Sequence, residues 1–167
     1  SVFVYPTDTI YGIGCSAQDE SLIERIRVMK NRHTQPFSVI APDTEWIRQH
    51  CIIKNETHEW LKKLPGPFTL ILELKDSAGI AGNVAPGMNS IGVRVIDHWF
   101  QKIVEQLGFP IVTTSANRIG GDFMTHMDNL HKEIRENSDY MIYEGPIEGR
   151  PSTIVNLTQN VPEVIER

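Results

Sequence analysis

Four short stretches hold residues able to do chemistry. Pro6-Thr7-Asp8-Thr9-Ile10-Tyr11-Gly12-Ile13-Gly14 places two hydroxyls, a carboxylate and a phenol behind a strand-like run, then adds glycines. Hydroxyls at a strand end can bind a polar ligand, and glycine lets a ligand approach the backbone. An Asx or Ser/Thr turn uses the same residues and is the simpler reading of this stretch alone. Arg25, Arg27, Lys30, Arg32 and His33 form a basic cluster. Lys30 and Arg32 lie at a helix end, where cations complement the helix dipole by ~0.3–1 kcal/mol. They could equally clamp a phosphate, a rigid fork beside a mobile point charge. Arg25 and Arg27 read as solvated residues of the helix face.

Thr113-Thr114-Ser115-Ala116-Asn117 ends an apolar run. Open α/β sheets bind ligands beyond the carboxyl ends of their strands, although a helix N-cap uses the same residue types. Ser115 has no G-x-S-x-G context, so nothing marks it as a hydrolase nucleophile. Gly149-Arg150-Pro151-Ser152-Thr153-Ile154-Val155 delivers two hydroxyls to the start of a strand, for a turn or for a ligand. Arg94, within Gly92-Val93-Arg94-Val95, is a charge inside an apolar strand and needs a partner or a ligand. There is no P-loop and no G-x-G-x-x-G. The histidines at 33, 50, 58, 98, 126 and 131 have no metal-ligand spacing, so no metal site is expected.

The elements that must position these groups alternate along the chain. Strands are expected at Val2 to Tyr5, Phe37 to Ala41, Thr69 to Leu74, Ile91 to Val95, Pro110 to Thr114, Tyr140 to Tyr143, Thr153 to Leu157 and Val161 to Ile165. Helices are expected at Gln18 to Met29, Asp43 to His50, Glu56 to Lys63, Trp99 to Leu107 and Met127 to Glu136. Gly108 is a stop signal for the fourth of these. Gly79 to Asn89 reads as a surface loop. Trp46, Trp60 and Trp99 read as core residues. Interleaved strands and helices imply an α/β fold with a mixed sheet, in one domain over 1–167.

The chain has 167 residues, 40% of them hydrophobic and 22% charged. That is enough to bury a core without disulfide or metal staples. Cys15 and Cys51 read as reduced thiols of a cytosolic protein. A net charge of −5 weighs against broad nucleic-acid binding and leaves a local basic site possible. Apolar runs are too short for a membrane span. Ser1 leads straight into a strand-like run and Arg167 directly follows another, so a trimmed chain or part of a longer one is expected.

Taken in order, Pro6-Thr7-Asp8-Thr9-Ile10-Tyr11-Gly12, Lys30-Asn31-Arg32, Pro65-Gly66-Pro67-Phe68-Thr69, Gly92-Val93-Arg94, Thr114-Ser115-Ala116-Asn117 and Ser152-Thr153-Ile154-Val155 resemble the YrdC-like threonylcarbamoyl-AMP synthases over essentially the whole chain. The resemblance implies a twisted mixed sheet flanked by helices, with a concave basic face. It implies a nucleotidyltransferase joining L-threonine, bicarbonate and ATP, with Mg²⁺ carried on the ATP, to give threonylcarbamoyl-AMP and pyrophosphate. The product would serve tRNA threonylcarbamoyladenosine modification in the cytoplasm through a downstream threonylcarbamoyl-transferase complex, with tRNA or double-stranded RNA as a further contact. Residue by residue, it implies Lys30 and Arg32 as catalytic cations. Thr7, Arg94, Ser115 and Ser152 would bind threonine. Lys30, Thr34, Ser90, Asn117 and Arg167 would bind the nucleotide. Gln35 stands where the family often has Lys, and Asn156 where Asp is common. By the same resemblance a helix before the first strand and, in longer members, a C-terminal extension would be expected, and the chain is read as lacking both. A non-catalytic RNA-binding module and a sister carbamoyl-transfer branch are the alternatives.

Overall fold

Short strands dominate the computed structural model, which describes residues 1–167. In chain order the elements are β1 (Phe3–Tyr5), β2 (Gly12–Gly14), α1 (Glu20–Lys30), β3 (Ser38–Ile40), α2 (Thr44–His50), α3 (Asn55–Leu61), β4 (Phe68–Glu73), β5 (Ser90–Arg94), α4 (Gln101–Leu107), β6 (Ile111–Ser115), a 3₁₀ turn (Met127–Asn129), α5 (Lys132–Asn137), β7 (Tyr140–Met141), β8 (Thr153–Asn156) and β9 (Glu163–Ile165). The strands form one sheet in the order β7-β1-β2-β6-β3-β5-β4-β8-β9. Parallel pairs (β7 with β1, β3 with β5, β4 with β8) are interspersed among antiparallel ones, so the sheet is mixed.

Strand alternation sorts the side chains onto two faces. Val4, Val39, Val112, Leu70, Leu72, Ile91, Val93 and Val155 join one large core, with Ile23 and Ile26 of α1, Ile47 of α2, Leu61 of α3 and Ile134 of α5. On the opposite face Tyr5, Ile40 and Ile111 meet Phe100 and Val104 at α4 in a smaller core. That second face is not fully covered. Where β3, β4, β5 and β6 cross it, Ser38, Thr69, Ser90, Gly92, Arg94 and Thr113 stand at alternate positions, with Ile71 the one large aliphatic among them, and Ser152 stands just before β8. The result is a single-domain α/β fold whose sheet has helices on both faces and an opening over its centre.

Three expectations about the elements are corrected. Gly12-Ile13-Gly14, where no strand was expected, is a strand between β1 and β6. A Cβ on Gly14 would stand 2.1 Å from the Val112 carbonyl oxygen, so only glycine lets the strands come this close. The helix expected from Met127 to Glu136 is broken. The Asn129 side chain accepts from the Thr125 and His126 amides, and His131 Nδ1 accepts from the Glu133 amide to start α5 afresh. Such side-chain bonds compete with helix continuation. Trp99, expected in the core, is 47% exposed, because its indole donates outward to Glu144.

Candidate active site

The opening over the sheet is a cavity of about 250 Å³. Of the residues singled out by sequence, Thr7, Arg32, Ser90, Arg94, Ser115, Ser152 and Arg167 line it together. Lys30, Thr34 and Asn117 do not: Thr34 is exposed on the loop before β3, and the other two stand behind the wall. Three arginines and no carboxylate line the cavity.

The loop carrying Arg32 is built from α1. Asp19 caps the helix by accepting from the Leu22 amide, and Asn31 ends it in a left-handed conformation at φ 53°. Arg27 then fastens the loop. It is 1% exposed and donates to the carbonyls of Arg32, Gln35, Asn83 and Val84. Its guanidinium lies 4.3 Å from the Phe37 ring centroid. Reading Arg27 as solvated was therefore incorrect. The spacing Ile23, Arg27, Lys30 puts it on the buried stripe of the helix, and that signal was present in the sequence. Arg32 donates to the Pro36 carbonyl at 2.7 Å and keeps a buried Nε without a partner. Burial, then Arg27 and Arg167, push its pKa down.

Lys30 is buried at the end of α1, 1% exposed. Its ammonium donates to the Ser115 carbonyl, to the Asn117 carbonyl at 2.6 Å and to Asn117 Oδ1 at 3.3 Å. All three protons are thereby directed to the turn after β6. Burial, then Arg32, lower its pKa to about 7. The same turn is closed by Ser115 Oγ donating to Asn117 Oδ1 and by Asn117 Nδ2 donating to the Gly121 carbonyl at 2.6 Å.

On the β1 side, Thr7 Oγ1 donates to the Ile10 carbonyl at 2.6 Å and accepts from the Thr9 and Ile10 amides. The turn expected there thus forms, and it forms in the cavity wall. Thr9 Oγ1 sits 3.0 Å from Thr7 Oγ1 and accepts from Arg94 at 3.2 Å. Arg94 itself, 5% exposed on β5, pairs with Asp8 at 2.7 Å. Burial pushes its pKa down, and Asp8 opposes that. On the β8 side, Ser152 Oγ lies 2.6 Å from Thr69 Oγ1, and Arg167 donates to the Ser152 carbonyl and hydroxyl. Arg167 has its pKa lowered by burial and then by Arg94. Gly149 packs so tightly against β1's loop that a Cβ would fall 1.7 Å from the Thr9 carbonyl oxygen.

Sequence reasoning did not assign Asp8, Thr9 or Thr69 to the site. The motifs held all three, but only the register of β4 with β8, Phe68 opposite Thr153, shows Thr69 facing Ser152.

Fold and cavity together define the class: an open mixed α/β sheet bearing an arginine- and hydroxyl-lined cleft. The chain belongs to the Sua5/YciO/YrdC family, whose model, described as "Telomere recombination", matches residues 1–167. It is 32% identical over 160 residues to a Methanocaldococcus jannaschii protein named "Putative threonylcarbamoyl-AMP synthase", covering 93% of this chain and 74% of that one. It superposes on P. abyssi Sua5 complexed with L-threonine at a TM-score of 0.85 and 27% identity, covering 98% of this chain and 49% of that one. It therefore spans about half the length of that protein. Escherichia coli YciO superposes with a TM-score of 0.86 at 24% identity, over 99% of this chain and 82% of that one, and shares the fold. No helix is long and apolar enough to cross a membrane.

Proposed function

We propose that this chain is an L-threonylcarbamoyladenylate synthase, a nucleotidyltransferase acting in the cytoplasm for tRNA threonylcarbamoyladenosine modification. The observation that carries the reading is the cavity itself, with Arg32, Arg94 and Arg167 among six or more hydroxyls and no acid. Family membership and the threonine complex of P. abyssi Sua5 support it.

The reaction balances as follows. The threonine amine takes up bicarbonate, forming a carbamate and releasing water. A carbamate oxygen then bonds to the α-phosphorus of ATP, and the bond from that phosphorus to the bridging oxygen breaks, releasing pyrophosphate. Several negative charges are crowded in the transition state, so fixed cations and hydroxyl donors suffice and no covalent nucleophile is needed. Arg32 and Arg167 face the phosphates in this reading. Thr7, Arg94, Ser115 and Ser152 hold threonine and Ser90 meets the nucleotide, while Thr34 and Asn117, which do not line the cavity, make no contact in this reading. Lys30 acts through the Ser115–Asn117 turn it holds. A cavity lined by hydroxyls and without carboxylates suits Mg²⁺ that arrives on the triphosphate and needs few protein ligands. That ion, as part of the substrate, offsets phosphate charge. The product would pass to a downstream threonylcarbamoyl-transferase complex.

The test is pyrophosphate release with ATP, bicarbonate and each amino acid in turn. Threonine-specific, bicarbonate-dependent release is expected. Release with another amine only would select the sister branch. Retention of tRNA or double-stranded RNA without nucleotide turnover would select the binding module.

A further inference from the structure

Asp8 carries no role in the reading above, yet it is the only carboxylate bonded to a cavity arginine. Its Oδ1 accepts from Arg94 at 2.7 Å, and the two side chains are 9% and 6% exposed. Its Oδ2 accepts from the Asp97 amide at 3.0 Å, which fixes the carboxylate from behind. Arg94 is held on its other arm by Thr9, and its buried Nε is left without a partner. A second cavity of about 330 Å³ is lined by Asp8, Arg150, Thr153 and Glu166 among others. Arg94 lines the first cavity and Asp8 the second, so the ion pair spans the partition between them.

We propose that Asp8 is a positioning residue that neutralises and aims Arg94. Two guanidiniums, Arg32 and Arg167, then meet a polyanion at full charge. The third, Arg94, keeps a buried Nε–H without a partner and has its charge already balanced by Asp8. A cavity with three uncompensated arginines would hold pyrophosphate too tightly to release it. Charge balance at this pair therefore sets product release, because a counterion this near and this buried acts in low dielectric. The inference rests on the cavity's being the anion site of the proposed reaction.

The test uses the full chain and inorganic pyrophosphate as the probe, titrated calorimetrically without threonine. Asp8→Asn keeps the size and an acceptor but removes the charge. We expect it to bind pyrophosphate at least about tenfold more tightly than wild type, while Asp8→Glu stays within about threefold. In turnover, Asp8→Asn lowers KM for ATP and kcat together. The double variant Asp8→Asn with Arg94→Gln replaces the pair by neutral amides and decides the matter should the single variant not fold. Its pyrophosphate affinity is expected within about threefold of wild type. Unchanged or weaker binding by folded Asp8→Asn, or a tenfold loss in the double variant, overturns the proposal. A wild-type chain that binds pyrophosphate but shows no threonine-dependent release would count against the synthase reading, while the binding series still decides the role of Asp8.

Discussion

Arg32 and Lys30 sit two residues apart and do different work. Arg32 has a free, buried Nε at the cavity wall. Arg32→Ala is expected to lower threonine-dependent pyrophosphate release by 10²–10³, the ~2.7–4 kcal/mol typical of one lost transition-state donor. Arg32→Lys should not restore it, since an ammonium cannot place a donor where Nε stands. Near wild-type release by either variant would remove Arg32 from the reaction. Lys30 instead gives its protons to the wall, and its consequence is a pH-dependent stability. Its pKa is about 7 in the fold against an ordinary 10.5. Below 7 both states carry the proton and the fold bears the full burial penalty. Between about 7 and 10.5 the unfolded chain keeps the proton while the fold sheds it, so stability rises with pH across that window. Urea midpoints at pH 6, 8 and 9.5 should therefore climb more steeply for wild type than for Lys30→Met. Parallel curves would show that Lys30 titrates outside the window.

Among the elements, the alternating strands were the most legible part of the chain. Ser90-Ile91-Gly92-Val93-Arg94 already displays one apolar face and one functional face, and Arg94 could be picked out as a charge needing a partner. That its partner is Asp8 could not, because they meet across the fold at a separation of 86 residues. β2 escaped because Gly-Ile-Gly has too few side chains to alternate. Lys30's target escaped because a buried ammonium and a phosphate clamp are the same residue in sequence. Gly149 belongs to this scale too, since its lack of a side chain lets the loop before β8 close on the Thr9 carbonyl. Gly149→Ala must lift that loop, carrying Ser152 away from the cavity. Overpacking of this kind costs ~1–3 kcal/mol, so a lowered melting temperature and reduced turnover are expected together. Gly82→Ala, at a site with nothing within 4 Å, is the control and should melt close to wild type. A Gly149→Ala variant indistinguishable from that control would mean the loop is not held there.

For the whole molecule, the net charge of −5 and the arginine-lined cavity act at different ranges. Surface charge repels a long polyanion along its length, and at ~0.15 M salt it is felt only within about 8 Å. A small anion inside the cavity meets Arg32 and Arg167 directly and escapes most of that repulsion. Ligand-linked stability separates the two cases. A ligand at 100 times its Kd stabilises the fold by ~2.7 kcal/mol. For a chain of this length each kcal/mol moves Tm by roughly 2–4 °C. ATP and pyrophosphate should thus each raise Tm by about 5–11 °C at that saturation, and Arg32→Ala should remove most of the rise. An RNA duplex at equal phosphate concentration should leave Tm nearly unchanged. The reverse pattern, with RNA stabilising and ATP inert in wild type, would make this cavity the edge of a nucleic-acid surface rather than a place where a nucleotide reacts.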